Sequence, residues 1–194
     1  METLKLTADD FTPAKDGYKD YTGKVDLNAE FDGSVEIAAG LGWVRFAKSV
    51  RVRFDLTIEA GSGIEAGWGI EAGWGIEAGE GIKAGEGIEA GWGIEAGSGI
   101  EAGEGIKAGW GIKAGWGIKA GWGIEAGWGI EAGWGILSGL TVTCKKVLSF
   151  RFRLFAGTAT WKETADNTVT CGQLDGGEVA YGIVKEIGIP GEVG

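Results

Sequence analysis

The side chains that could do chemistry lie in a block, residues 58–135, where a six-residue unit repeats thirteen times. Position one of each unit is Ile, position three is Ala, and positions four and six are Gly. Position two is Glu or Lys, and position five is Trp, Ser or Glu. Carboxylates, ammonium groups and indoles therefore recur at fixed spacing, which is the chemistry of ion pairs and of aromatic binding surfaces.

The chain has no histidine, which removes the commonest general base, the usual zinc ligand and the activator of a serine nucleophile. Pairs of Glu could act as acid and base, but these glutamates recur as a surface lattice and do not converge on a pocket. The Gly-X-Gly-Ile steps match phosphate-binding loops only superficially, because they recur in every unit without a following helix. We therefore expect no catalytic residue, no cofactor and no metal, and a role that is not enzymatic.

The repeat predicts short β-strands that stack into a β-solenoid. Six is an even number, so the alternation of side chains across a strand stays in phase from unit to unit. Ile and Ala then share the inner face, whereas a helix would need a period near 3.6 and would lose about 1 kcal/mol at each Gly. The Gly-X-Gly step allows positive φ on both sides of X, so the bend is expected there. The predicted fold class is all-β, a β-solenoid of hexad repeats.

The number of strands in a coil follows from how side chains would stack. Three strands give 18-residue coils with two Trp columns, one of Trp74, Trp92, Trp110 and Trp128 and one of Trp116 and Trp134. Seven of ten stacked position-two pairs, counted from Glu59 to Glu131, then carry opposite charges, which favours strand pairing. Two strands give 12-residue coils, in which Ser and Glu interrupt the Trp columns. The prediction is a three-sided solenoid.

Both flanks of the block continue the alternation of apolar and polar residues. The hexad frame can be counted from Phe46 to about Ala159, and Phe150, Phe152 and Leu154 keep the inward parity. We expect an N-terminal β cap with a hairpin (1–45), a solenoid (46–159) and a C-terminal cap (160–194). Asp32-Gly33 between alternating runs is the hairpin signal. Caps are needed because an open solenoid end exposes unpaired strand edges.

Position five is the most informative position of the unit. Parity alone would place the eight Trp of the block inside, with Ile and Ala. Glu80, Glu86 and Glu104 occupy the same position, however, and a buried unpaired carboxylate is costly. Position five is therefore expected at a corner, with the side chain outward. The Trp columns then either form an apolar binding surface or stack on each other and only shield the corners, and both alternatives are open.

The net charge of −10 argues against direct nucleic-acid binding, which needs a basic surface. It agrees with a basic protein partner or with imitation of a polyanion. Cys144 and Cys171 are too few for a disulfide scaffold; they either pair or are two buried thiols. The chain begins without the apolar run of a signal peptide and has no apolar stretch of membrane-spanning length, so a cytoplasmic protein that binds no membrane is expected.

The aliphatic residue at position one, from Ile58 to Ile136, resembles the hexapeptide-repeat left-handed β-helix family. The resemblance implies a three-sided parallel β-helix over the repeat block. Many members are acyltransferases with a catalytic histidine, which this chain lacks, and the family favours small residues where this chain often has Trp. In shape and charge, though not in period, the predicted acidic rod is also similar to pentapeptide-repeat proteins that imitate duplex DNA.

These observations favour a solenoid that binds a protein partner, or copies of itself as a homo-oligomer, through an acidic, Trp-lined rod. One alternative is an acidic DNA mimic that inhibits a nucleic-acid-binding protein. A second alternative is glycan binding by stacked Trp. The predicted partner-binding residues are Trp74, Trp92, Trp110, Trp128, Trp116, Trp134, Glu65, Glu71, Glu89 and Glu101.

Overall fold

The computed structural model describes residues 2–162 and 166–190. Within these residues the chain is all-β, with no α-helix and with one 3-10 turn at Ala8–Asp10. Parallel strands about 18 residues apart stack into a β-solenoid of about eight coils, as the hexad repeat predicts. No helix in this part of the chain is long and apolar enough to cross a membrane.

The solenoid has three faces, which we number in chain order. Face 1 consists of the strands Val50–Val52, Ile70–Ala72, Ile88–Ala90, Ile106–Ala108, Ile124–Ala126, Val142–Cys144, Thr168–Cys171 and Ile183–Glu186. Face 2 consists of Thr3–Leu6, Ser34–Ile37, Leu56–Ile58, Ile76–Ala78, Ile94–Ala96, Ile112–Ala114 and Ile130–Ala132. Face 3 consists of Lys19–Tyr21, Gly42–Phe46, Ser62–Ala66, Ile82–Ala84, Ile100–Ala102, Ile118–Ala120 and Ile136–Ser138. Two longer strands, Val147–Phe155 and Gln173–Tyr181, turn from face 2 into face 3.

The core is built from positions one and three of the unit. Each Ile stacks on the Ile of the next coil, as Ile112 does on Ile94 and Ile130, and each Ala stacks on Ala. Both kinds of residue are buried throughout the block, except Ala60 in the first unit, which is exposed. The interior is therefore a close-packed rod of aliphatic side chains without a channel, and its burial supplies the main driving force for stacking.

After the first unit, the block glycines are needed for close approach and not for positive φ. Positive φ beside residue X, which the sequence suggested for every unit, occurs only at Gly61, because no glycine between residues 62 and 156 has it. At position four the backbone N–H of Gly109 donates to the Ala90 carbonyl of the preceding coil, 3.1 Å away. A Cβ on Gly109 would overlap the carbonyl oxygen of Gly91, and the other position-four glycines from Gly67 to Gly133 meet the backbone of the preceding coil as closely. Only Gly fits at this contact.

The first unit of the repeat is out of register with the rest. Strands pair at an offset of 18 residues from Ile64 onward, but Val44, Val50 and Leu56 pair with residues 20 positions later. Ile58 therefore lies opposite Ala78, and Thr57, not Glu59, stacks on Glu77. The predicted Glu59–Glu77 pair is wrong. Two additional residues enter the corner at 59–61, where Gly61 has a φ of 72° and the Glu59 carboxylate accepts a hydrogen bond from the Ala39 N–H.

The hairpin predicted at Asp32-Gly33 is also wrong. Ser34–Ile37 pairs in parallel with Thr3–Leu6 and with Leu56–Ile58, so this segment already belongs to face 2. The antiparallel pair at this end joins Phe11–Pro13 to Lys19–Tyr21. Its side chains Phe11 and Tyr21 pack with Phe46 over the end of the core.

Parallel pairing extends on both sides of the predicted solenoid range 46–159. At the C-terminal end Thr168–Cys171 stacks on Val142–Cys144, and Ile183–Glu186 stacks on Thr168–Cys171. Of the predicted cap 160–194, residues 163–165 and 191–194 lie outside the described residues. Cys144 and Cys171 are free, buried thiols, and burial raises the pKa of Cys144 to about 12.

Candidate functional site

Position five lies at the three corners of the coil, and its side chains point outward as predicted, except Ser62 of the first unit, which is buried. The backbone continues the ladder through each corner, since the Trp110 N–H donates to the Trp92 carbonyl at 2.7 Å. Trp92, Trp110 and Trp128 are 54%, 69% and 58% exposed. The inward parity predicted for Phe152 is wrong, because Phe152 continues a corner column and is exposed.

The corner between faces 1 and 2 carries an unbroken aromatic column. We call its four indoles the Trp edge: Trp74, Trp92, Trp110 and Trp128. The rings of Trp74 and Trp92 are 5.3 Å apart and inclined by 5°, and those of Trp92 and Trp110 are 6.3 Å apart and inclined by 25°. The Lys146 ammonium lies 3.8 Å from the centre of the Trp128 ring, within range of a cation–π contact. The edge is thus a continuous apolar strip along the rod.

The other two corners are mixed. Between faces 2 and 3 the column is Ser62, Glu80, Ser98, Trp116, Trp134 and Phe152, and the rings of Trp116 and Trp134 stack at 5.5 Å. Between faces 3 and 1 the column is Trp68, Glu86, Glu104, Trp122 and Leu140. We call Glu86 and Glu104 the acidic corner. The three edges of the rod therefore differ in chemistry, although the repeat unit that builds them is the same.

Position two forms a charge ladder on each face. In the observed register nine position-two pairs of the block stack, and seven of them are of opposite sign. The Lys119 ammonium lies 2.6 Å from the Glu101 carboxylate, and Lys83 lies 3.3 Å from Glu65. The charge of Glu65, together with their hydrogen bond, raises the pKa of Lys83. These pairs are partly exposed, so each contributes no more than about 1 kcal/mol.

The ten predicted site residues do not form one surface. The Trp edge lies beside face 1, which carries Glu71 and Glu89. Trp116 and Trp134 lie beside face 3, which carries Glu65 and Glu101. Three of the four predicted glutamates are ion-paired within the chain, to Lys83, Arg51 and Lys119. In the described part of the chain, the predicted Glu89 makes no ion pair, and neither do Glu86 and Glu104 of the acidic corner, which the predicted site did not include.

Each face has an open groove between its corner column and its charge ladder. The grooves along faces 1, 2 and 3 have volumes of about 610, 840 and 910 Å³. The groove of face 1 is lined by five carboxylates and one ammonium group, from Glu71, Glu86, Glu89, Glu104, Glu125 and Lys107. Among the described residues no cluster of Cys, Asp and Glu has the geometry of a metal site.

Trp43 is a further residue of interest that the sequence analysis missed. It lies at position six of its coil, paired with Gly63, and its half-buried indole lies in the groove of face 3. The strand register identifies it. Val44 pairs with Ile64 and is therefore at position one, so Trp43 is at position six, which is Gly in every unit of the block.

No protein-family model, no curated protein and no solved structure matches the chain.

Proposed function

We propose that this chain is a non-catalytic interaction protein that binds a macromolecular partner, or copies of itself, through the Trp edge. The observation that carries the proposal is the exposure of three consecutive Trp of this edge, at more than half of each side chain. A contiguous apolar strip of this kind is a liability for a monomer, and large exposed patches usually mark interaction surfaces. Trp is also the residue most enriched at binding hot spots.

Stacking alone does not account for the Trp edge. Shielding the corner glycines would need only one face of each indole, and Trp110 still leaves most of its surface in water. The Ser and Glu at the other two corners lie over the same glycine backbone, so the fold does not require Trp at position five. The indoles of the Trp edge are therefore best explained by a ligand.

Glycan binding by this edge receives less support. A sugar ring stacks on a free indole face, but Trp74 and Trp92 cover each other's faces at 5.3 Å. The ring faces buried in this stack are not available to a sugar, whereas a complementary protein surface can contact the parts that stay exposed.

Replacing Trp110 and Trp128 together by Ala is expected to weaken partner binding at least about 30-fold, since a Trp hot spot contributes 2 kcal/mol or more. The measurement is a pull-down with the purified chain as bait, quantified by titration against the captured partner, together with the mass in solution by light scattering. Trp68→Ala, at the same position of another corner, is the matched control. Unchanged partner binding and unchanged mass in the double variant would show that the Trp edge is not the binding surface.

A second candidate is an acidic DNA mimic, favoured by the concentration of carboxylates in the groove of face 1. Glu104 stacks directly on Glu86, with its N–H donating to the Glu86 carbonyl at 3.2 Å. Position-five Glu at this corner thus adds to the position-two Glu of face 1. A basic DNA-binding protein would meet a strip of negative charge there.

Changing Glu86, Glu89 and Glu104 to Gln is expected to abolish displacement of labelled duplex DNA from such a target protein. The displacement should weaken with rising salt, because it rests on exposed charges. Lys107→Gln, which makes the same groove more acidic, should strengthen it. Full displacement by the triple Gln variant would exclude the acidic corner as the mimic.

A further inference from the structure

The groove of face 3 has a floor of glycine backbone. We call this floor the glycine track: Gly63, Gly81, Gly99, Gly117 and Gly135, all at position six. Trp43 closes the track at one end, where it pairs with Gly63. Arg153 closes it at the other end, where its backbone lies beside Gly135. Trp116 stands on one side of the track, and Lys83, Glu101 and Lys119 stand on the other.

One indole already lies in this track. A Cβ on Gly63 would lie 3.2 Å from two ring atoms of Trp43, and a Cβ on Gly81 would lie 2.9 Å from the ring atom Cη2. Trp43 therefore covers the first two glycines, with Tyr18 packed beside it at 6.2 Å. The remaining part, over Gly99, Gly117 and Gly135, is open and belongs to the groove of about 910 Å³.

The Trp edge has the dimensions that this open part needs. Both are columns of one residue per coil, so both repeat at the strand spacing of about 4.8 Å. Each Trp precedes one glycine of the open track by seven residues: Trp92 precedes Gly99, Trp110 precedes Gly117, and Trp128 precedes Gly135. Seven residues are less than half of a coil, so each Trp and its glycine lie at nearly the same height along the rod. In a three-sided coil the corner between faces 1 and 2 is opposite face 3. If a second copy is translated perpendicular to the rod axis without rotation, its Trp edge therefore meets the open track of the first copy.

The charges agree with this placement. The lining of the face 3 groove carries three cations against two carboxylates, from Lys83, Lys119, Arg153, Glu80 and Glu101. Each of these cations is ion-paired within the chain, to Glu65, Glu101 and Glu178, so this groove is close to neutral. The position-two ladders beside the Trp edge carry six carboxylates against two lysines, from Glu71, Glu77, Glu89, Glu95, Glu125, Glu131, Lys107 and Lys113. The groove of face 3 is the one of the three described grooves whose lining is not net negative. An acidic Trp edge is therefore repelled by faces 1 and 2 but not by face 3.

We infer that the chain self-associates by seating the Trp edge of one copy in the open glycine track of the next. This deepens the proposed function by naming its partner, and it rests on that proposal. The two surfaces are different, so the contact is heterologous and does not close on itself. Association is then a reversible, open row of parallel rods whose length grows with protein concentration.

The test separates the two surfaces by mutation and then mixes them. Trp110→Ala with Trp128→Ala removes the edge and leaves the track intact. Gly99→Trp fills the track from within the chain, as Trp43 does, and leaves the edge intact. Gly105→Trp, at position six of face 1 and in a groove that no Trp of the edge lines, is the matched control. Each purified chain, checked for wild-type folding by circular dichroism, is followed by sedimentation velocity over a range of concentrations.

The expected result is that wild type and Gly105→Trp associate, while the edge variant and the track variant are each monomeric. Their equimolar mixture should form a heterodimer and nothing larger, because one copy supplies only a track and the other only an edge. If Gly99→Trp does not fold, Lys83→Glu with Lys119→Glu replaces it and should weaken association at least tenfold. A mixture that stays monomeric, a track variant that still associates, or a monomeric wild type overturns the inference. If wild type does not self-associate but the Trp110, Trp128 variant no longer captures a partner, the inference is wrong and the proposed function is retained.

Discussion

Replacing Gly109 by Ala is expected to destabilise the solenoid by about 3 kcal/mol or more. The added Cβ would overlap the carbonyl oxygen of Gly91, which is backbone and has no rotamer into which it can move. Relief would require the coils to separate, and separation would break the bond from the Gly109 N–H to the Ala90 carbonyl. Chemical denaturation followed by circular dichroism measures the loss, provided that the transition is a single cooperative step.

Gly111→Ala is the matched control for Gly109→Ala. The two glycines flank the same Trp, but a Cβ on Gly111 would meet its closest neighbour, the Gly129 carbonyl oxygen, at 3.5 Å, an ordinary contact. Because Ala also restricts the unfolded chain, this variant should change the free energy of unfolding by no more than about 1 kcal/mol, in the stabilising direction. Equal losses of unfolding free energy from both substitutions would mean that a Cβ at residue 109 meets no closer contact than a Cβ at residue 111.

The repeat predicted the fold because every level of the sequence agrees on it. Even-period alternation, β-branched Ile and opposite charges at an 18-residue offset all point to the same stacked coil, and such consistency specifies one structure. Where parity was the sole guide the prediction failed. Ile58 has the inward parity of a position-one residue, yet two extra corner residues move it opposite Ala78. An insertion of two residues leaves the alternation of apolar and polar residues unchanged, so it cannot be detected from that alternation.

The candidate site was predicted in part. Exchange of Trp, Glu and Ser at position five correctly indicated an outward corner, because burial would penalise the carboxylate. The distribution of these Trp and Glu over different edges was not carried into the predicted site, since both Trp columns and four Glu were combined into one acidic, Trp-lined surface. Trp43 was missed for the same reason as Ile58. Its position in the unit depends on a 20-residue offset that only the strand register reveals.

Ile100→Ala is expected to cost about 2–5 kcal/mol, and Ile100→Val about 0.5–1.5 kcal/mol. Ile100 is buried and stacks between Ile82 and Ile118, so removing its side-chain atoms leaves a cavity between three coils. The backbone around it is held by the ladder on both sides, and the cavity cannot collapse without disturbing that ladder. The free energy of unfolding of the two variants should therefore fall in the order of the volume removed.

Glu101→Ala, on the same strand, distinguishes a core effect from a general weakness of the strand. The Glu101 side chain points outward and its ion pair with Lys119 is half-exposed, so its loss should cost no more than about 1 kcal/mol. In a stack where each coil contacts only its neighbours, the damage from Ile100→Ala should also be local. Amide hydrogen exchange should accelerate first at Ile82–Ala84 and Ile118–Ala120, and last at strands several coils away. Uniform acceleration along the rod would show instead that the coils unfold as one unit, and that the solenoid draws its stability from the whole stack and not from nearest neighbours.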